Sequence, residues 1–160
     1  MKKHSQNSAF TLISEACQAF TLIELLIAMA ILGILATVGL GSFRIAQMRG
    51  RDTERKSDLK QIANALELYY SDYRKYPETF TFSGEFTDSK TSYLKVVPND
   101  PGGGTYVYNV SAVGSKYQLF AYLENTDDNN INYEITAICE GGITCNFAIT
   151  SPNTTPTESL

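Results

Sequence analysis

Histidine is all but missing from this chain: the single one, His4, stands within the first ten residues. Without imidazole in the body of the sequence there is no Ser-His or Cys-His pair to activate a nucleophile, and no histidine-based metal set. No Gly-rich loop opens a helix after a strand either. Asp100-Pro101-Gly102-Gly103-Gly104 lacks the Lys that follows in a phosphate loop and lies between strand-like runs, so it reads as a turn. Positive charge is scarce in the second half, where residues 77–160 hold three Lys or Arg against ten Asp or Glu. Such a surface is a poor match for a phosphate backbone. These absences leave an anchored hydrolase without residues to carry it.

Cysteine is limited to three positions, and Cys17 stands apart from the other two. Cys139 and Cys145 flank Glu-Gly-Gly-Ile-Thr, a spacing that suits a small disulfide loop in an oxidising, extracytoplasmic place. A metal pair would need a second Cys pair or a nearby His, and the chain has neither; free thiols are the remaining alternative.

What the chain does have is one long apolar run. From Phe20 to Phe43 the only ionisable side chain is Glu24. A helix of about 24 residues covers roughly 36 Å, enough to cross the hydrocarbon of a bilayer. Glu24 sits a full turn inside that run, where an unanswered carboxylate costs at least about 2.5 kcal/mol. The sequence therefore demands a partner for Glu24.

Ala19-Phe20-Thr21-Leu22-Ile23-Glu24-Leu25-Leu26, preceded by a short Lys-bearing leader, resembles the class III signal of type IV pilins and type II secretion pseudopilins. The resemblance implies that a prepilin peptidase cuts between Ala19 and Phe20 and N-methylates the new terminus, making Glu24 the fifth mature residue. Cleavage would create an ammonium on Phe20 able to meet the Glu24 carboxylate of a neighbouring subunit, and opposite charges that meet in hydrocarbon remove much of each other's desolvation cost. The family's usual residue before the cut is Gly, and here it is Ala19. Loss of residues 1–19 would take away Cys17, Lys2, Lys3 and Glu15, leaving 11 basic and 16 acidic residues.

Ala9-Phe10-Thr11-Leu12-Ile13 repeats as Ala19-Phe20-Thr21-Leu22-Ile23, which offers two cuts. Only the second places Glu24 fifth; the first would put Ser14 there. An ordinary secretory signal would have its small-residue site after the apolar core, whereas Ala16-Cys17-Gln18-Ala19 precedes it. Glu15 argues against a lipoprotein reading of Cys17, and an uncleaved anchor leaves Glu24 without a purpose. Arg44, Arg49, Arg51, Arg55 and Lys56 follow the run and outnumber the leader's cations, so the positive-inside rule alone would put the C-terminus inside. The resemblance and the cysteine pair both put it outside.

Beyond the apolar run the pattern turns amphipathic. Leu59, Ile62, Ala63, Leu66, Tyr69, Tyr70 and Tyr73 recur at helical spacing, with Arg55, Lys56, Asp58, Lys60, Asn64 and Glu67 mainly opposite. One helix from Phe20 to about Arg74 is expected, ending before Pro77. Gly33, Gly39, Gly41 and Gly50 interrupt it; they mark either a segment that unwinds on assembly or close packing through small residues. The charged face reads as solvated, with pairs such as Asp52 and Lys56, or as a contact between neighbouring stems. Arg51 to Tyr70 and Lys75-Tyr76-Pro77 extend the resemblance toward the major pseudopilins.

After Pro77, strand-like runs are expected at Thr79–Phe82, Thr105–Val110, Lys116–Glu124, Asn132–Ile138 and Ile143–Thr150. Asp100 to Gly104 and Val113-Gly114-Ser115 are turns. Leu94 to Tyr108 is similar to the pseudopilin pattern of Leu, Pro, Asp-Pro and a Tyr strand. The fold expected is α+β and type IV pilin-like: a long N-terminal α-helix, membrane-spanning then amphipathic, packed on a C-terminal antiparallel sheet. Its parts would be a leader (1–19), a membrane or filament-core helix (20–43), a stem (44–76), a β-rich head (77–150) and a mobile tail (151–160). The tyrosines of the head read either as a ligand-binding sheet face or as strand residues alternating between core and surface.

Glu124 to Asn132 is dense in oxygen ligands. The resemblance implies a calcium loop here, with Asp127, Asp128 and Asn130 as candidate ligands, although the spacing of a helical calcium loop is missing; a polar loop between strands is the alternative. No other cofactor is expected. The resemblance implies a structural subunit, not an enzyme, that polymerises into a pilus or a secretion pseudopilus, with an assembly ATPase and a polytopic platform membrane protein as partners and the bilayer as its store. A minor pilin binding DNA or another ligand is the alternative, with nucleic acid disfavoured by the acidic head.

Overall fold

The structure, a computed structural model, describes residues 20–160. The expected leader, with Ala19, Cys17 and the first Ala-Phe-Thr-Leu-Ile, lies outside those residues. One helix, α1 (Leu22–Tyr73), opens the described chain. It runs unbroken through the four glycines. Two units divide the chain, Met1–Leu40 and Gly41–Leu160.

In the first unit, the large apolar side chains described are all exposed: Leu22, Leu26, Met29, Leu32 and Leu35 each keep at least 60 % of their surface. The helix is long and apolar enough to cross a membrane. Among the described residues these side chains stand exposed, and an apolar patch of this size marks a lipid or protein contact.

In the second unit, α1 continues to Tyr73 and stops where Arg74 turns left-handed (φ 57°), its N–H still reaching the Tyr70 carbonyl at 2.8 Å. Pro77 then prevents resumption. Leu59, Ile62 and Leu66 on α1 are at most 1 % exposed and pack with Tyr76, Tyr106, Tyr117 and Leu119 in one core. Each such aliphatic burial contributes about 1.5–3 kcal/mol. The stripe expected to cover the sheet does so.

Two antiparallel sheets face that helix segment. β1 (Phe86–Thr87) pairs with β2 (Ser92–Leu94), while β3 (Val107–Val110), β4 (Tyr117–Ala121) and β5 (Phe147–Thr150) form a sheet with β4 in the centre. In its register Val107 faces Phe120 and Leu119 faces Ile149. Gly114 makes the β3–β4 turn (φ 68°): a Cβ there would lie 3.0 Å from the Tyr76 carbonyl, which needs that space because Tyr76 N–H donates to Gly114 O at 2.7 Å.

Two expected strands are absent as ladders. In Thr79–Phe82 the chain turns, and Phe80 instead packs its ring tilted against Tyr108, centroids 4.7 Å apart, and edge-on to Phe82 at 5.3 Å. Asn132–Ile138 makes only a single bridge, Ile138 with Thr144. Its polar side chains compete with the ladder: Asn132 Oδ1 accepts the Glu134 N–H at 2.8 Å. The Cys139–Cys145 disulfide is formed, with Cα atoms 5.2 Å apart. Both cysteines are buried with Phe120 and Ile135 in a second small core on the outer face of β4.

That second face also corrects the expected mobile tail. All five β4 residues are buried, so both sides of the strand need cover, and residues 151–160 supply part of it. Gln118, only 2 % exposed, donates from Nε2 to the carbonyls of Thr155 (2.7 Å) and Glu158 (2.8 Å); Lys116 pairs with Glu158, and Ser151 is buried. Gln118→Ala removes both donors, and chemical denaturation of the detergent-solubilised chain should show a loss of about 1–3 kcal/mol. Proteolysis within residues 151–160 should speed up in the same variant.

Candidate functional site

At the start of α1 the sequence Thr21-Leu22-Ile23-Glu24 forms a reciprocal cap. Thr21 Oγ1 accepts the Glu24 N–H at 3.3 Å, and Glu24 Oε2 accepts the Thr21 N–H at 3.2 Å and its hydroxyl at 3.0 Å. This is a capping box, in which two otherwise unpaired helix N–H groups are satisfied. It also places a carboxylate at the positive end of the helix dipole. Sequence reasoning identified Glu24 but missed its bond to Thr21, although a Thr three residues ahead of a Glu at the head of an apolar run was a readable signal. Phe20, just before the cap, is 82 % exposed.

The second constellation lies where α1 enters the head. The solvated charged face expected around Asp52 and Arg55 is in fact buried: the two residues are 2 % and 4 % exposed. Arg55 Nη1 donates to Asp52 Oδ1 at 2.8 Å and pairs with Glu124 Oε1 at 2.8 Å. Its Nε and Nη2 reach the Asp100 carboxylate at 2.9–3.1 Å. Asp52 turns its two oxygens to the backbone N–H groups of Glu124 (2.9 Å) and Asn125 (2.8 Å). Arg51 grips Glu124 in a two-pronged contact, with Nε to Oε1 at 2.8 Å. Gly102 is fixed by the same cluster, since a Cβ there would lie 2.5 Å from Arg55 Nη2.

Burial opposes the charge on Arg55, but its hydrogen bonds to Asp100, Glu124 and Asp52 outweigh that and raise its pKa. The Arg51 guanidinium, with Arg55 beside it, holds the Glu124 carboxyl down to about 2. Nearby, burial pushes the Asp58 carboxyl up while the Tyr106 hydroxyl, donating at 2.7 Å, pulls it back in part. Every buried side-chain nitrogen or oxygen among the described residues has a partner. The cluster binds two segments of the head, around Asp100 and around Glu124, to about one turn and a half of helix.

The calcium candidates fall beside this clamp. Asp128 Oδ2 accepts from Lys56 Nζ at 2.6 Å, and its Oδ1 accepts from Asn130 N (2.9 Å) and Nδ2 (3.0 Å). The Lys56 ammonium lowers the Asp128 pKa and also lies 5.8 Å from the Phe147 ring centroid. Asp127 is exposed. Among the described residues no three His, Cys, Asp or Glu side chains converge as a metal set. Asp52 and Lys56, expected as an i,i+4 pair, each take another partner.

Glu124 is ordinarily protonated near pH 4.5 and is held ionised to about pH 2 in the fold, so its contribution is complete above the ordinary value and lost as pH falls toward 2. Glu124→Gln should flatten the dependence of melting temperature on pH between about 5 and 2. Arg55→Met leaves Asp52, Asp100 and Glu124 facing one another and should cost about 3–5 kcal/mol in denaturant titration.

Residues 16–40 match the prokaryotic N-terminal methylation motif, and residues 45–136 match the type II secretion system protein G family. The chain is 31 % identical over 113 residues to the type II secretion system core protein G of Pseudomonas aeruginosa, spanning 64 % of this chain and 80 % of that one. It is 24 % identical over 133 residues to the core protein G of Dickeya chrysanthemi, spanning 74 % and 87 %. With the type IV major pilin protein PilE1 of Neisseria gonorrhoeae it shares 35 % over 104 residues, 63 % of this chain and 58 % of that pilin. No solved structure gives a significant match. A methylation motif on an apolar helix, followed by a head matched over most of its length, makes this chain a pilin-like structural subunit belonging to the type II secretion system protein G family.

Proposed function

We propose that the chain is cut between Ala19 and Phe20, N-methylated on Phe20, held in the cytoplasmic membrane with its head outside, and polymerised into a pilus or pseudopilus filament. The observation that carries this is Glu24 in the first turn of an apolar helix whose described large side chains are exposed. In the stored subunit the carboxylate is answered by Thr21. On assembly it exchanges that cap for the Phe20 ammonium of a neighbour, while the apolar faces exchange lipid for one another. Prepilin peptidase, an assembly ATPase and a polytopic platform protein are the partners this route requires. The subunit acts as a building block and performs no chemistry.

The charge conflict at the membrane eases in this reading. Of the five cations that follow the apolar run, Arg51, Arg55 and Lys56 are each paired with a carboxylate. Lys56 Nζ donates to Asp128 Oδ2 at 2.6 Å, which supports a loop tied to the stem over one organised by calcium.

Mass spectrometry of the purified protein should find a methylated N-terminus at Phe20; a chain beginning at Phe10 would overturn the assignment. Glu24→Ala should be processed normally yet yield few or no filaments by electron microscopy. Glu24→Gln, which keeps an acceptor for Thr21 but carries no charge, should fail in the same way. EGTA should leave the melting temperature of the head unchanged.

A further inference from the structure

The filament reading does not say which surfaces of the heads and stems meet, and two surfaces of the second unit present exposed apolar side chains beside charges that form no ion pair among the described residues. The first is a tip. Residues 132–138 and 144–146 run alongside each other, joined by Asn132 N–H to Asn146 O (2.8 Å), Cys145 N–H to Ala137 O (2.9 Å) and the Ile138–Thr144 bridge. The Cys139–Cys145 disulfide closes the end, with Cys139 N–H donating to Ile143 O at 2.8 Å. A covalently closed loop has little freedom left to lose on binding. Yet it presents apolar side chains to solvent: Ile138 is 57 % exposed, Ile143 49 % and, at the base, Tyr133 77 %. Glu134 beside them is exposed and forms no ion pair among the described residues.

The second surface is on α1. Ser42, Ile45, Ala46 and Arg49 follow i, i+3, i+4, i+7 spacing on one face of the helix and line a shallow depression. Ile45 is 47 % exposed. Arg44 and Arg49 are exposed and unpaired among the described residues, in contrast to Arg51, Arg55 and Lys56. Small side chains permit close approach, and a guanidinium stands at the rim.

We propose that the disulfide-closed tip of one subunit seats on the Ser42–Arg49 face of a second copy of this chain, Ile138 and Ile143 against Ile45 and Ala46, with Glu134 meeting Arg49. The occupant is a second copy because the charges are opposite and neither Glu134 nor Arg49 has an ion-pair partner among the described residues. The two surfaces are different parts of one chain, so the contact is heterologous: it leaves a free tip and a free face at every step and propagates instead of closing into a dimer. The inference rests on the filament reading and adds the register of head on stem.

The test places a photo-crosslinking benzoylphenylalanine at Ile138 in cells assembling the full chain. Irradiation should give a dimer whose crosslinked peptide contains residues 45–49. Arg49→Glu and Glu134→Arg should each give about tenfold fewer filaments, as like charges are brought together, and the double variant should restore them. Crosslinks to another peptide or to lipid, normal filaments from Arg49→Glu, or a double variant no better than the singles would overturn the contact while leaving the subunit a filament former. Absence of any filament from the unaltered chain would instead remove the reading on which the contact rests.

Discussion

A guanidinium taken out of water keeps its charge only if carboxylates and hydrogen-bond acceptors surround it closely, and Arg55 is the place where this chain meets that condition. Asp52 comes from the preceding turn of the same helix, Asp100 from the turn before β3, and Glu124 from the loop after β4. Removing any of these leaves a buried charge unbalanced, so three stretches far apart in sequence have to arrive together. The net contribution of such a cluster to stability is modest, because desolvation consumes much of the Coulomb gain. Its effect is on position: the apolar core of Leu59, Ile62 and Leu66 holds the sheet to the helix without direction, and the ions set where along the helix the sheet stops.

The first unit follows the opposite logic. There the described large apolar side chains of the helix stand exposed, and its one carboxylate is satisfied locally by Thr21. A helix with such an exposed apolar surface is complete only in lipid or among copies of itself. The general methylation motif is recognised on residues 16–40, and the protein G family to which the chain belongs on residues 45–136.

Much of this was legible in the sequence because it depends on local spacing. The run from Phe20 to Phe43, the Leu59–Leu66 stripe, the turn at Gly114 and the Cys139–Cys145 pair each declare themselves within one contiguous stretch of sequence. The clamp did not, since Arg51, Asp52 and Arg55 look like any solvated helix face, and what buries them lies 45 or more residues away. Thr79–Phe82 and Asn132–Ile138 have the composition of strands, but pairing depends on an available neighbour, and neither has one over its length. Residues 151–160 have the composition of a loose tail. Nothing local shows that both faces of β4 are buried.

That doubly buried strand has a bearing on the order in which the head can form. Gln118 finds its acceptors 37 and 40 positions further along the chain. As the chain grows, β3 and β4 can pair and settle on the helix while the opposite side of β4 is still bare. Closure of that side must therefore wait for the arrival of the segment around Thr155, and a nascent chain stalled short of it would present Phe120 and its neighbours to whatever surveys unfinished proteins.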